Sequence, residues 1–433
     1  MTQALHAISL TSATKEMAIG ALTARALAEV QLERIAATDA DVEAWAYLDP
    51  AHVRRMADRC DAGRDKGPLR GIGVGVKDII ATADLPTQMG SPIYAGHRPH
   101  EDAECVRRLH NAGAYVFGKT VTTEFAFLDP GKTRNPWNPA HTPGGSSSGS
   151  AAAVAAGQIT GAIGTQTNGS IIRPAAYCGV VGFKPTKDAI PLSGVHIFSD
   201  TLDHVGVFTR TVSDAARLAS ALTDRAFVSP SVAALPAPPR LAYLSDYPWT
   251  EIDSDARDTI KAAVTRLRQF GATVTGVEFP APWRDANRLL RTIVLFEGFR
   301  NLGALQARER ARLAPKLNAA LDEGRRITEA QYRSALQQRS EAIGAFTEWL
   351  DDFDTVISPS APGPAPYGLA STGDPSCCTL WSLTGFPALS LPLGGSASGL
   401  PVGLQIACPS GADDRLLTVA AWCESKLTFR GLV

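Results

Sequence analysis

Apolar residues recur every three to four positions from Leu22 to Ile35 (LTARALAEVQLERI), the spacing of a helix with one buried face. After it, AWAYL reads as a short extended piece. In GIGVGVKDII the period changes to two: Ile72, Val74 and Val76 alternate with glycines. This predicts a strand whose other face admits a close neighbour and whose end presents Lys77. Helical spacing returns from Asp102 to Asn111 and closes on Ala112-Gly113, and AYVFG then reads as a strand. AAAVAAG, from Ala151, predicts a short helix of small side chains able to pack closely. The proline-rich stretch VSPSVAALPAPP (228–239) is the best candidate boundary or surface crossover. Beyond it RLAYL, a helix around Ile260, Val264 and Leu267 ended by Gly271, and TVTGVEF form a β-α-β unit. A charge-rich helical stretch from about Asp285 to Asp351 follows, then three strand-like segments, FDTVISPS, PALSLPL and VGLQIA, and a final helix. Strand-like and helical segments are thus mixed throughout the chain.

Composition narrows the class without naming it. Hydrophobic residues make up 45% and charged residues 20% of the 433, which is globular. A net charge of −1 supplies no long-range field for nucleic acid or an anionic membrane. The densest basic run, Arg308 to Arg312 (RERAR), is broken by acid within a helical pattern and reads as a solvated face. Seven scattered cysteines, with Cys377-Cys378 lacking a C-x-x-C companion, indicate neither a disulfide framework nor a zinc site. Reduced thiols, no leader-like start and no apolar run near about 18 residues lead to the expectation of a soluble cytoplasmic protein.

Two motifs suggest chemistry and then fail on context. Gly145-Ser146-Ser147-Ser148-Gly149 matches the G-x-S-x-G nucleophile elbow, which requires an acid and then a histidine later in the chain. The last of eight histidines is His204, so only His196 or His204 could serve, unusually close behind the serine. The segment from Gly113 to Gly118-Lys119-Thr120 matches G-x-x-x-x-G-K-[ST], but a phosphate-cradling loop leaves a strand and opens a helix. Here the first glycine ends a helix, and AYVF between the glycines is a bulky β-forming run. GIGVG likewise lacks the third glycine of G-x-G-x-x-G, where Val76 stands.

The serine run, Lys77 and GTQTNGSIIRPAAYCGVVGFKPT (164–186) together resemble the amidase signature family, whose members hydrolyse amides with a Ser-Ser-Lys triad and no histidine. GPLRGIGVGVKD, AGAYVFGKT, NPWNPAHTPGGSSSGSAAAVAAG, ISPSAPGPAP and FPALSLPLGGSASGLPVGLQI also look like family blocks in family order. The likeness spans roughly residues 15 to 425 and is weakest from 210 to 350. It implies one α/β/α domain over 1–433 around a large mixed sheet. The catalytic core would lie at about 60–215 plus 350–425, with a variable substrate-channel region at about 225–350.

Carried over, the resemblance makes Ser170 the nucleophile, Ser146 a bridging serine after a cis peptide bond, and Lys77 the terminal base. Backbone N–H groups of Thr167, Asn168, Gly169 and Ser170 would form the oxyanion hole. It implies no metal or other cofactor, with a small amide, carbamate or ester and water as partners and a homodimer as one compatible state. Phe127, Leu128 and Trp381 are the candidate pocket walls, Ser147 a supporting hydrogen-bonder, and Arg173 and Lys184 structural cations. The family more commonly has an aspartate at Gln166, a glycine at Asn168 and an arginine at Ile172. Joint loss of an acid and a base avoids an unpaired buried charge. The departure suggests a stand-alone amidase; the alternatives are the glutamine-hydrolysing subunit of a tRNA-dependent amidotransferase and, behind it, a non-catalytic or P-loop binding protein.

The chemistry stands on its own terms. A serine hydroxyl attacks only if a base removes its proton, and a lysine is a base only when neutral. From a reference pKa near 10.4, a shift of about three units, worth roughly 4 kcal/mol, is needed. Burial supplies shifts of that size. Asp78, next to Lys77, would oppose the shift if both side chains pointed the same way.

Overall fold

The computed structural model describes residues 5–63, 67–228 and 235–433, so residues 229–234 of the proline-rich crossover lie outside the described residues. Eleven strands among them form one sheet: β1 (Trp45–Tyr47), β2 (Gly73–Lys77), β3 (Tyr115–Thr120), β4 (Gly161–Gln166), β5 (Val181–Lys184), β6 (His204–Thr209), β7 (Arg240–Leu244), β8 (Thr273–Val277), β9 (Thr355–Pro359), β10 (Ala388–Leu393) and β11 (Val402–Ala407). Their order is β1-β3-β2-β4-β6-β5-β10-β11-β9-β7-β8. β2 runs parallel to β3 and β4, and β7 runs parallel to β8 and β9. Antiparallel pairs carry the sheet from β4 through β6, β5, β10 and β11 to β9.

β2, β3, β4, β5, β6, β9, β10 and β11 are buried at every residue. Strands buried on both sides need cover on both faces, and helices supply it, giving the expected α/β/α layering. β7, the Ser254–Gln269 helix and β8 make the anticipated β-α-β unit, with β7 and β8 adjacent and parallel. The charge-rich stretch divides into helices Ala286–Glu309, Pro315–Gly324 and Glu329–Trp349. Among the described residues, no helix is long and apolar enough to cross a membrane.

The small-residue helix, Ser148–Ala155, is buried throughout. A Cβ at Gly149 would lie 2.2 Å from Ala44 O and 2.3 Å from Val121 N, so only glycine lets the helix start so close to the strands. That contact fixes the turn immediately before it, residues 144–147.

Candidate active site

β2 and β4 are parallel neighbours, so their ends open at the same edge of the sheet. Lys77 is the last residue of β2, and Ser170 follows four residues after the end of β4. The Lys77 side chain is completely buried, with Nζ 2.7 Å from Ser146 Oγ and 2.7 Å from Thr165 Oγ1. Burial drives its pKa well below that of an ordinary lysine, opposed by the charge of Asp203. Asp78, in the turn that follows β2, is engaged elsewhere: it accepts from Gln88 N at 3.1 Å and lies 3.8 Å from Lys119 Nζ. The neighbouring acid therefore does not hold Lys77 in its charged form.

Lys119 is itself enclosed. Its ammonium donates to Ile80 O at 2.6 Å, Thr87 Oγ1 at 2.6 Å and Thr82 Oγ1 at 3.1 Å, and Tyr115–Thr120 is strand throughout. The P-loop reading fails here because the lysine that would meet a phosphate is spent inside the protein.

The Gly145–Ser146 peptide bond is cis. Ser147, the elbow serine, is fully buried; its Oγ donates to Thr165 O at 3.1 Å and accepts from Thr165 N at 3.2 Å. It braces the serine run against β4. Neither late histidine makes a side-chain hydrogen bond to a serine: His204 Nδ1 meets Leu202 O at 2.6 Å, and His196 lies against the Phe125 ring at 5.3 Å.

The turn from Thr167 to Ser170 is closed by Gln166, whose Oε1 accepts from Ile171 N at 2.8 Å and Ile172 N at 3.0 Å. Its Nε2 donates to Ser382 Oγ at 3.1 Å. A neutral amide thus closes the turn without a cation, consistent with apolar Ile172 in place of arginine. The amides of Asn168, Gly169 and Ser170 make no hydrogen bond to another described residue, and Ser170 Oγ has no partner among them either. Ser170 lines a cavity of about 290 Å³, together with Phe127, Leu128, Phe198, Leu290 and Val294. The Phe127 and Phe198 rings stack at 4.9 Å.

Of the anticipated walls, Phe127 and Leu128 line this cavity and Trp381 does not. Trp381 is fully buried in the Thr379–Thr384 helix, edge-on to Phe346 at 5.3 Å, because that helix turns its large face toward the Glu329–Trp349 helix. Phe198, Leu290 and Val294 were not anticipated. The four-residue interval between Leu290 and Val294, one face of a helix, was the available signal.

Arg173 is buried in the cavity wall and donates to Gly145 O at 2.6 Å, Gly373 O at 3.0 Å and Thr372 Oγ1 at 3.2 Å. It ties the residue before Ser146 to a loop from the distant end of the chain. Arg173→Met would leave these acceptors unmet, and we expect it to lower unfolding free energy by about 2–4 kcal/mol in chemical denaturation. Lys184 donates to Phe386 O at 2.5 Å, another internal tie. Cys178 Sγ lies 3.3 Å from Pro143 O, and burial raises its pKa, so it is not a thiolate. Among the described residues, no His, Cys, Asp and Glu cluster could hold a metal ion.

Known proteins match the chain over nearly its whole length. Residues 26–417 match the family described as Amidase. A glutamyl-tRNA(Gln) amidotransferase subunit from Acidothermus cellulolyticus is 35% identical, covering 93% of this chain and 91% of that protein. A crystal structure of an amidase superposes with a TM-score of 0.89 at 30% identity, covering 97% of this chain and all of the other. Native peptide amidase from Stenotrophomonas maltophilia gives 0.81 at 29% identity, covering 97% of each chain. The chain therefore belongs to the amidase signature family, enzymes that act on carbon–nitrogen bonds other than peptide bonds.

Proposed function

We propose that the protein hydrolyses small carboxamides through an acyl-enzyme on Ser170, with Ser146 passing the proton and Lys77 receiving it. The observation that carries this reading is the buried amine 2.7 Å from Ser146 Oγ beside a cavity that Ser170 lines. As Ser170 Oγ attacks the carbonyl carbon, its proton moves to Ser146 while Ser146 gives its own to Lys77. The amides of Thr167 to Ser170 receive the developing oxyanion, and fixed donors there are worth about 2.7–4 kcal/mol each. The Lys77 ammonium returns its proton through Ser146 to the leaving nitrogen. Water then attacks the ester by the same path in reverse. In the resting state Ser170 Oγ is unpaired, and such contacts tighten when substrate fills the site.

Apolar walls at Phe127, Leu128, Phe198, Leu290 and Val294 favour alkyl or aromatic acyl groups, and the same acyl-enzyme serves anilides, esters and carbamates. The second reading, a glutamine-hydrolysing component of an amidotransferase, is favoured by the names of the curated relatives. A substrate panel separates the two. We expect the isolated chain to turn over an aromatic primary amide with kcat/KM at least about tenfold above that for glutamine, the scale of a hydrophobic-pocket preference. Robust glutaminase activity that requires partner subunits would favour the second reading instead.

A further inference from the structure

Resting on the Ser170–Ser146–Lys77 reading, we propose that Asp203 is the counter-charge for the Lys77 ammonium formed as Ser170 is acylated, a positioning residue that touches no substrate. The lysine receives a proton in a fully buried place, and its hydrogen-bond contacts are hydroxyls and a carbonyl: Ser146 Oγ, Thr165 Oγ1 and Thr165 O. None of these is anionic. A cation created there without compensation is costly, so a fixed negative charge close by lowers the barrier.

Asp203 supplies that charge through Thr167, two residues after the Thr165 that holds Lys77. Thr165 Oγ1 accepts from Lys77, and Thr167 Oγ1 donates to Asp203 Oδ1 at 2.5 Å. Asp203 Oδ2 accepts from Phe198 N at 2.7 Å and Ser199 N at 3.1 Å. The carboxylate is 5% exposed and has no ion-pair partner among the described residues. Three donors satisfy its oxygens and leave its charge uncancelled. Among the described residues, Asp203 is also the one ionisable group whose field raises the proton affinity of Lys77.

The loop bearing Asp203 is pinned from the far side. Glu297, completely buried in the Ala286–Glu309 helix, accepts from Ser199 Oγ, from Thr201 N at 3.0 Å, from Thr201 Oγ1 at 2.6 Å and from the Tyr332 hydroxyl at 2.5 Å. The other ionisable groups around the pair have separate roles. Lys187 lowers the proton affinity of Asp203, though less than its three hydrogen-bond donors do. His196 is held neutral, with its pKa pushed to about 4 by burial and by Lys77. His204 is likewise kept neutral by burial, and Arg300 reaches Asp200 at 2.6 Å and stands 4.0 Å from Glu297. No proton moves to Asp203 in the reaction; it acts by charge alone.

The test compares Asp203→Asn, Thr167→Val and Lys77→Ala by pH profiles of kcat and kcat/KM on one amide substrate. In Asp203→Asn the side-chain carbonyl oxygen can still accept from Phe198 N and Ser199 N, so shape is kept and charge is lost. We expect kcat to fall roughly tenfold to a hundredfold with KM within about twofold, the effect of a unit charge in a screened interior. The acid limb moves to lower pH, because without the anion Lys77 holds its proton less tightly. Thr167→Val moves it the same way to a smaller extent: Asp203, whose pKa burial raises to about 6, loses a donor to its charged form and protonates at higher pH, so its negative charge is absent over more of the acid range. An acid limb in Asp203→Asn unchanged from wild type, or a kcat within about twofold of it, overturns the proposal, since a unit charge in such an interior acts more strongly than that. Should that variant not fold, an unmoved limb in Thr167→Val overturns it. Retained activity in Lys77→Ala would sink the underlying triad reading, whereas an inactive Lys77→Ala beside an unaffected Asp203→Asn sinks only the role of Asp203.

Discussion

Ser170→Ala is expected to lower kcat for amide hydrolysis by about 10⁵- to 10⁶-fold while leaving KM nearly unchanged, the scale seen when a nucleophile is removed from a concerted triad. Ser170 Oγ takes part in no hydrogen bond among the described residues, so its removal breaks no structural tie and the variant should melt close to wild type. The amides of the 167–170 turn remain, and with them a residual rate above that in water. Intact-mass and peptide mapping after a fluorophosphonate probe provides the direct check. Wild type should gain one adduct on the peptide containing Ser170, and Ser170→Ala none. An adduct on Ser147 would return the elbow reading despite that residue's burial, and full activity in Ser170→Ala would end the present one.

Lys77→Arg is expected to be almost as damaging, with kcat down about 10³- to 10⁴-fold, near the upper range for loss of a general base. The substitution keeps a long basic side chain but fixes a positive charge where the working lysine is neutral, and so removes the ability to accept a proton. A guanidinium does not deprotonate in proteins, so it can never accept the proton relayed by Ser146. Wild-type activity should rise with pH as the amine loses its proton, at a pH below that of an ordinary lysine because burial lowers its pKa. The arginine variant should show no such rise. A pH profile of kcat/KM measures both, and the double variant with Ser170→Ala should be no worse than Ser170→Ala alone, since members of one relay are not additive. An active Lys77→Arg enzyme would assign the base to another group.

Much of this site was legible because its chemistry sits at the ends of regular elements. Alternation in GIGVGVK marks a buried strand, and a lysine at its end is delivered to the sheet edge. What the chain could not reveal locally was partnership across the sheet. The conflict between Lys77 and Asp78 resolves only once β3 is known to lie beside β2 and to bring Lys119 to the acid. Trp381 was misplaced because proximity in sequence to a family block says nothing of which way a six-residue helix faces. Asp203 and Glu297 read as ordinary polar positions. Their importance arises from contacts 36 and 98 residues away in the chain, to Thr167 and Ser199.

Strand order also constrains how the protein comes off the ribosome. β5 is complete at Lys184, yet its outer neighbour is β10, Ala388–Leu393, and the Arg173 clamp closes on Thr372 and Gly373. Through the whole of the intervening synthesis the nascent chain carries the serine run and its lysine beside a sheet edge that has nothing to pair with. Unpaired edges recruit other chains, so this interval is when the growing chain is most open to mispairing. It is also why a fragment ending before that clamp loop would hold Lys77, Ser146 and Ser170 and still lack the segment that completes their cavity.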